Sequence, residues 1–169
     1  MPVLKPDSTR LSELQADDVK AVTNPQGTDL ALTPEERKIL SAAAGRVLLL
    51  HLRGAMIFGT SRVISRKNSE VEGIRTLIVD LTDVVYLGVS AALAIEEAML
   101  DMIDAGRSVY VVAGPGQPRR RLENMGILER MPQQNVVEDR LVALKHSING
   151  DRSPDPASGT PAEGVYSAG

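Results

Sequence analysis

Four stretches of the chain are apolar at nearly every position over the length of a strand: RVLLLHLRG, AMIFG, IRTLIVDL and SVYVVAG. A continuous apolar run marks a strand covered on both faces rather than one with a wet side. The first run is expected to end at Gly54 and the short AMIFG to form a second strand. Helical patterns separate the strands. TSRVISRKNSEVEG reads as a helix capped by Thr60 or Ser61, with Val63, Ile64 and Val71 turned inward. SAALAIEEAMLDMIDAG is a helix stopped by Gly106, and at ~100° per residue Ala92, Ile95, Met99, Met102 and Ile103 form its inner stripe. PRRRLENMG is opened by Pro118 and closed by Gly126, and NVVEDRLVALKHSI is expected to be a last amphipathic helix. Strands alternating with helices predict an α/β fold with a central mixed, mostly parallel sheet and helices packed around it.

The flanks read differently. Residues 1–44 are polar and rich in turn formers, and are expected to be a linker arm with one good helix. In LTPEERKILSAAAG, Thr33 suits the N-cap, Pro34 the first helical position and Glu36 the third, while Gly45 is a natural stop. Leu11, Leu14 and Val19 give a second, weaker helical hint. Residues 45–148 form the expected domain. The last residues, 149–169, are dense in Gly, Pro, Ser and Ala and predict a disordered tail.

Composition narrows the chemistry. Of 169 residues, 43% are hydrophobic but only 2% are aromatic, so the core must be aliphatic and stacking platforms for bases are scarce. With a net charge of -3 there is no electrostatic footprint for nucleic acid, and none is expected as a partner. The absence of cysteine removes disulfides, thiol nucleophiles and thiolate metal sites. The start, MPVLKPDSTR, has no apolar signal region. The longest mostly apolar stretch, VVYLGVSAALAI, falls well short of the ~18–20 residues of a membrane span, so this fragment is expected to be soluble.

Three places could carry function. The first is the turn Gly88, Val89, Ser90 at the start of the long helix. Ser90 could bind an anion or accept a phosphate there, because helix N-termini hold unpaired N–H groups; the plainer reading is that its hydroxyl caps the helix. No neighbouring base would activate it as a nucleophile. The second is AGPGQPRRR, where a lone G-x-G falls short of a dinucleotide fingerprint. Arg119, Arg120 and Arg121 could hold an anion or partner, or be a solvated first turn. The third is Glu96, which falls inside the apolar sector of its helix, with Leu93 and Leu100 at the edge of that sector and Glu97, Asp101 and Asp104 outside it. Such a carboxylate either snorkels out or meets another surface. His51 and His146 share no metal-ligand spacing, and no paired catalytic carboxylates, nucleophile elbow or P-loop is present. Catalytic residues, metal and cofactor are therefore all expected to be absent.

VDLTDVVYLGVSA resembles the signature of STAS domains, which occur as anti-sigma-factor antagonists and as the cytoplasmic ends of SulP-family anion transporters. Asp80, Leu81 and Thr82 match the strand end, Val84, Tyr86 and Leu87 the apolar positions of the turn that follows, and Ser90 the second hydroxyl position. Gly88 stands where the family has Asp, and Val89 where antagonists carry their phosphorylated Ser. Valine cannot accept a phosphate, so the switch position is degenerate. Gly54, Met56, Ile57, Phe58 and Gly59 resemble the SulP pattern before the first helix, and KAVTNPQGTDLALTPEERKIL resembles the connector after the last membrane helix in cyanobacterial SulP-type, sodium-dependent bicarbonate transporters. Those also carry Leu-Gly-Val at the turn, as Leu87, Gly88 and Val89 do here. The resemblance spans residues 15–148.

It implies a domain on the cytoplasmic face of the inner membrane, attached to its own transmembrane transporter domain. That domain would help hold a homodimer and tune transport, with a cytoplasmic regulator as a further partner. Leu93, Glu96, Glu97 and Leu100 are the expected contact surface. The rival readings are a free-standing anti-sigma-factor antagonist using Ser90, and a nucleotide-binding regulator using Gly114, Gly116 and the arginines.

Overall fold

The computed structural model describes residues 18–57 and 73–150. The expected helix TSRVISRKNSEVEG up to residue 72, with Leu11 and Leu14 of the weaker hint, Phe58, Gly59 and the tail beyond 150, lies outside the described residues.

Five strands form one sheet in the order β1-β2-β3-β4-β5: β1 Val19–Val22, β2 Val47–Met56, β3 Thr76–Leu87, β4 Ser108–Val112 and β5 Val136–Val137. β1 is antiparallel to β2, and the remaining pairs are parallel. The helices are α1 Pro34–Ala43, α2 Val89–Asp104, α3 Gln117–Asn124 and α4 Arg140–Gly150. Alternation along the strands divides the core in two. Leu48, Leu50, Leu77, Val79, Val109 and Val111 pack against α2 and α3 on one face. Leu49, Ile78, Tyr110 and Val112 pack against α1 and α4 on the other. The sheet is thus sandwiched between helical layers, as the continuous apolar runs predict.

Several boundaries differ from the sequence reading. The expected linker arm joins the fold: Val19, Lys20, Ala21 and Val22 pair with Leu52, His51, Leu50 and Leu49, so Val19 belongs to a strand. Leu30, Leu32, Ile39 and Leu40 from the same arm are buried in the second core. In α1, the capping box between Thr33 and Glu36 and the proline at the first turn are present as expected. RVLLLHLRG runs on into Ala55 and Met56 as one strand rather than ending at Gly54, because Gly54 takes a positive φ of 79° inside β2 and the ladder resumes beyond it. The last helix starts at Arg140; Gln133–Asn135 form a single 3-10 turn and Val136–Val137 the edge strand.

β3 shows the largest departure. The segment after Asp80 reads as a turn but continues the strand to Leu87. Register shifts fall between the pairs His51↔Asp80 and Arg53↔Asp83, and again before Ala55↔Tyr86. Each inserts an extra residue on β3, which moves the inward position from every second to every third residue there. Leu81, Val84 and Leu87 therefore all reach the same core.

Candidate functional site

The β3–α2 junction is held by two close approaches. Gly88 N–H donates to the Met56 carbonyl at 2.9 Å, and a Cβ on Gly88 would lie 2.9 Å from that same oxygen. Side-chain room is missing there, so glycine rather than an acid occupies the position. Gln117 fixes the other side: its amide oxygen accepts from Leu87 N–H at 2.8 Å and its amide nitrogen donates to Leu87 C=O at 2.9 Å. The side chain thus bonds the β3 backbone beyond the last β3–β4 pair, Asp80↔Val112. Arg121 also donates to Leu87 C=O at 3.1 Å and to the Tyr86 hydroxyl at 3.1 Å, with its guanidinium over the Tyr86 ring at 5.9 Å.

Gly88 is the N-cap of α2 and supplies no side-chain cap, so the cap expected from Ser90 is not made. Ser90 sits one residue inside the helix and is exposed. Around it Ile57, Val85, Tyr86, Val89 and Leu93 are exposed, Val85 at 76%. Helical geometry sets Val89, Leu93, Glu96 and Leu100 on one stripe. Glu96 and Leu100 are half-buried there, and Glu97 is exposed beside them. Of the expected inner stripe, Ala92, Ile95, Met99 and Met102 are buried and Ile103 is half-buried.

The arginine triplet divides. Arg119 pairs with Glu123 at 2.9 Å and donates to the Ala113 carbonyl at 3.2 Å, while Arg121 belongs to the junction just described. Arg120 points to solvent. The three are not brought together on one anion.

A second polar centre escaped sequence reading. Asp80, fully buried, lies directly across the sheet from His51, with Nδ1 to Oδ2 at 2.8 Å. Its other oxygen accepts from the Thr82 N–H at 3.0 Å and from the Thr82 hydroxyl. Arg140, from α4, donates to Asp80 at 3.1 Å, to the Ala31 carbonyl at 3.0 Å, and through Nε to Glu36 of α1. The first β3 bulge brings Asp83 onto the face of His51, where it meets Nε2 at 3.1 Å. Burial alone would raise the Asp80 carboxyl, but hydrogen bonds from His51 and Thr82 outweigh it and hold the group below its ordinary value. Burial likewise opposes the Arg140 charge, and Glu36 and Asp80 outweigh it, raising the guanidinium further. This network ties α1, β2, β3 and α4 together; with every buried carboxylate satisfied, it is a structural clamp. The sequence signal for it was partial, since the capping box exposes Glu36 but nothing local points to Arg140. His146 is exposed; its ring meets the Tyr110 ring edge-on at 6.3 Å, and its carbonyl accepts from the Tyr110 hydroxyl at 3.3 Å. Among the described residues, no group of His, Asp or Glu is arranged to hold a metal ion.

Comparison with known proteins agrees with this fold. One family, described as STAS domain, matches residues 38–140. The chain is 37% identical over 139 residues to the bicarbonate transporter BicA of Synechocystis sp., covering 82% of this chain and 24% of that protein. It is equally identical over 141 residues to BicA of Picosynechococcus sp., covering 83% and 25%. The chain thus spans about a quarter of the length of these curated relatives. The SulP transporter STAS domain from Vibrio cholerae superposes with a TM-score of 0.55 at 17% identity, over 72% of this chain and all of that one. Murine Slc26a9, an anion transporter solved in an inward-facing state, gives 0.57 at 15% identity, over 84% of this chain and 24% of that one.

Proposed function

Because the chain belongs to the STAS domain family, we propose that it is the cytoplasmic domain of a membrane anion transporter, with bicarbonate as the anion, acting in dimerisation and regulation. The observation that carries the reading is the 37% identity to BicA extending over four-fifths of the chain. Among the described residues no helix is long and apolar enough to cross a membrane. Anion passage would then belong to a transmembrane domain covalently attached to this one. The β3–α2 junction fits a constitutive contact better than a phosphorylation switch. Val89 offers no hydroxyl, and Val85, Val89 and Leu93 present apolar surface that a partner would cover.

An antibody against this chain, applied to fractionated source cells, tests the reading. A membrane-bound band several-fold heavier than 169 residues is the expected result. A soluble band of the chain's own size would overturn it and make Ser90 phosphorylation the leading question. The contact surface has its own test. Leu93→Ser with Leu100→Ser is expected to lower the mass seen by light scattering, and an unchanged mass would remove α2 from the dimer contact.

A further inference from the structure

Each long parallel strand is entered through an arginine: Arg46 before β2, Arg75 before β3 and Arg107 before β4. The register pairs Val47 with Thr76 and Thr76 with Ser108, so the three arginines stand in one row across adjacent strands. Strand spacing sets neighbours in such a row about 5 Å apart at the backbone. Main-chain bonds fix the row: Arg75 N–H donates to Arg46 C=O at 2.8 Å, and Ser108 N–H to Arg75 C=O at 3.1 Å. Arg107 is delivered to it by the end of α2. Gly106, at φ 74°, donates to Ile103 C=O, and Arg107 N–H donates to Met102 C=O, the paired closure that ends a helix in one left-handed residue.

Between the last two positions of the row lies an open depression of about 560 Å³, lined by Gly73, Arg75, Thr76, Gly106, Arg107 and Ser108. Arg75, Arg107 and Ser108 are exposed there. Arg46 is engaged, donating Nε to the Ala43 carbonyl. Among the described residues, neither the Arg75 nor the Arg107 side chain has a hydrogen-bond or ion-pair partner. Like charges on adjacent strands repel when nothing lies between them. Two guanidinium forks beside a hydroxyl suit a tetrahedral oxyanion, which can accept from both forks at once and relieve that repulsion.

We propose that Arg75, Arg107 and Ser108 form a binding site for a phosphate group, supplied either by a free phosphate compound or by a lipid headgroup. The site is at the opposite end of the sheet from the β3–α2 junction and does not depend on the transporter reading. Pyrophosphate is the probe for the free source, titrated into the isotope-labelled chain at fixed ionic strength. Vesicles of phosphatidylglycerol, against phosphatidylcholine alone, are the probe for the lipid source. Expected is saturable movement of the Gly73, Arg75, Gly106 and Ser108 amide signals with one probe, identifying the source. Arg75→Gln with Arg107→Gln should weaken that binding about tenfold or more, while Arg120→Gln leaves it unchanged. Because both side chains are exposed, the double variant should fold, checked by its unshifted core amide signals. No response to either probe, or equal binding by the double variant, would overturn the proposal.

Discussion

Arg140→Met should be among the most damaging single changes to this chain. Its guanidinium is largely buried and serves Asp80, Glu36 and the Ala31 carbonyl. The side-chain volume is roughly kept by methionine, so the loss is mainly of charge and hydrogen bonds. Removing one partner of a buried ion pair costs about 3–5 kcal/mol, because an uncompensated charge is left behind. Neither carboxylate would be orphaned entirely: Asp80 keeps His51 and Thr82, and Glu36 keeps the Thr33 N–H. That places the expected cost near the lower end, about 3 kcal/mol. At roughly 2–4 °C per kcal/mol for a domain of this size, the melting temperature should fall by about 10 °C. Urea unfolding followed by far-ultraviolet circular dichroism measures the loss, with Arg120→Met, an exposed arginine on α3, as the control expected to stay within about 0.5 kcal/mol. Combining Arg140→Met with Glu36→Gln should cost less than the sum of the two changes, since the second removes the charge that the first strands. A loss no larger than the control's, or strict additivity, would refute the clamp.

The remaining predictions concern the same clamp and the junction. Asp80 has a lowered folded-state carboxyl, so its stabilisation is complete above the ordinary aspartate value of about 3.9. As pH falls through that value toward the folded one, the unfolded chain takes up the proton first and stability drops. The urea midpoint of Asp80→Asn should therefore vary less with pH than wild type in the acid range, and parallel curves would count against the assignment. Gly88→Ala forces a Cβ against the Met56 carbonyl and should cost about 1–3 kcal/mol in urea unfolding; a neutral result would mean β2 yields there. Gln117→Ala removes both bonds to Leu87, so the Leu87 amide should exchange with solvent faster while amides in β4 stay protected. Unchanged protection at Leu87 would count against the role of Gln117 in closing that edge.

Local chemistry determined a good deal by itself. Apolar runs such as LIV and VYVV called for strands covered on both faces, and those runs became part of β3 and β4 in a helix-flanked parallel sheet. The stripe through Ala92, Ile95, Met99 and Met102 fixed which face of α2 is buried. Thr33, Pro34 and Glu36 fixed where α1 begins, because capping is settled within one helical turn. The motif at residues 80–90 also carried the STAS resemblance. Tertiary structure decided the rest. Apolar residues at 81, 84 and 87 look like neither period 2 nor a clean helix, and only pairing against β2 with two bulges turns them into a strand. The arm through residue 32 looks like a linker because its four-residue strand has too few side chains to show a period, and its burial depends on partners supplied by β2, α1 and α4. His51, Asp80, Glu36 and Arg140 lie as far as 104 positions apart, so no window along the chain shows them as one network. Periodicity reports how a segment meets its immediate surroundings; which distant charge neutralises a buried carboxylate is set only when the sheet brings them within hydrogen-bonding distance.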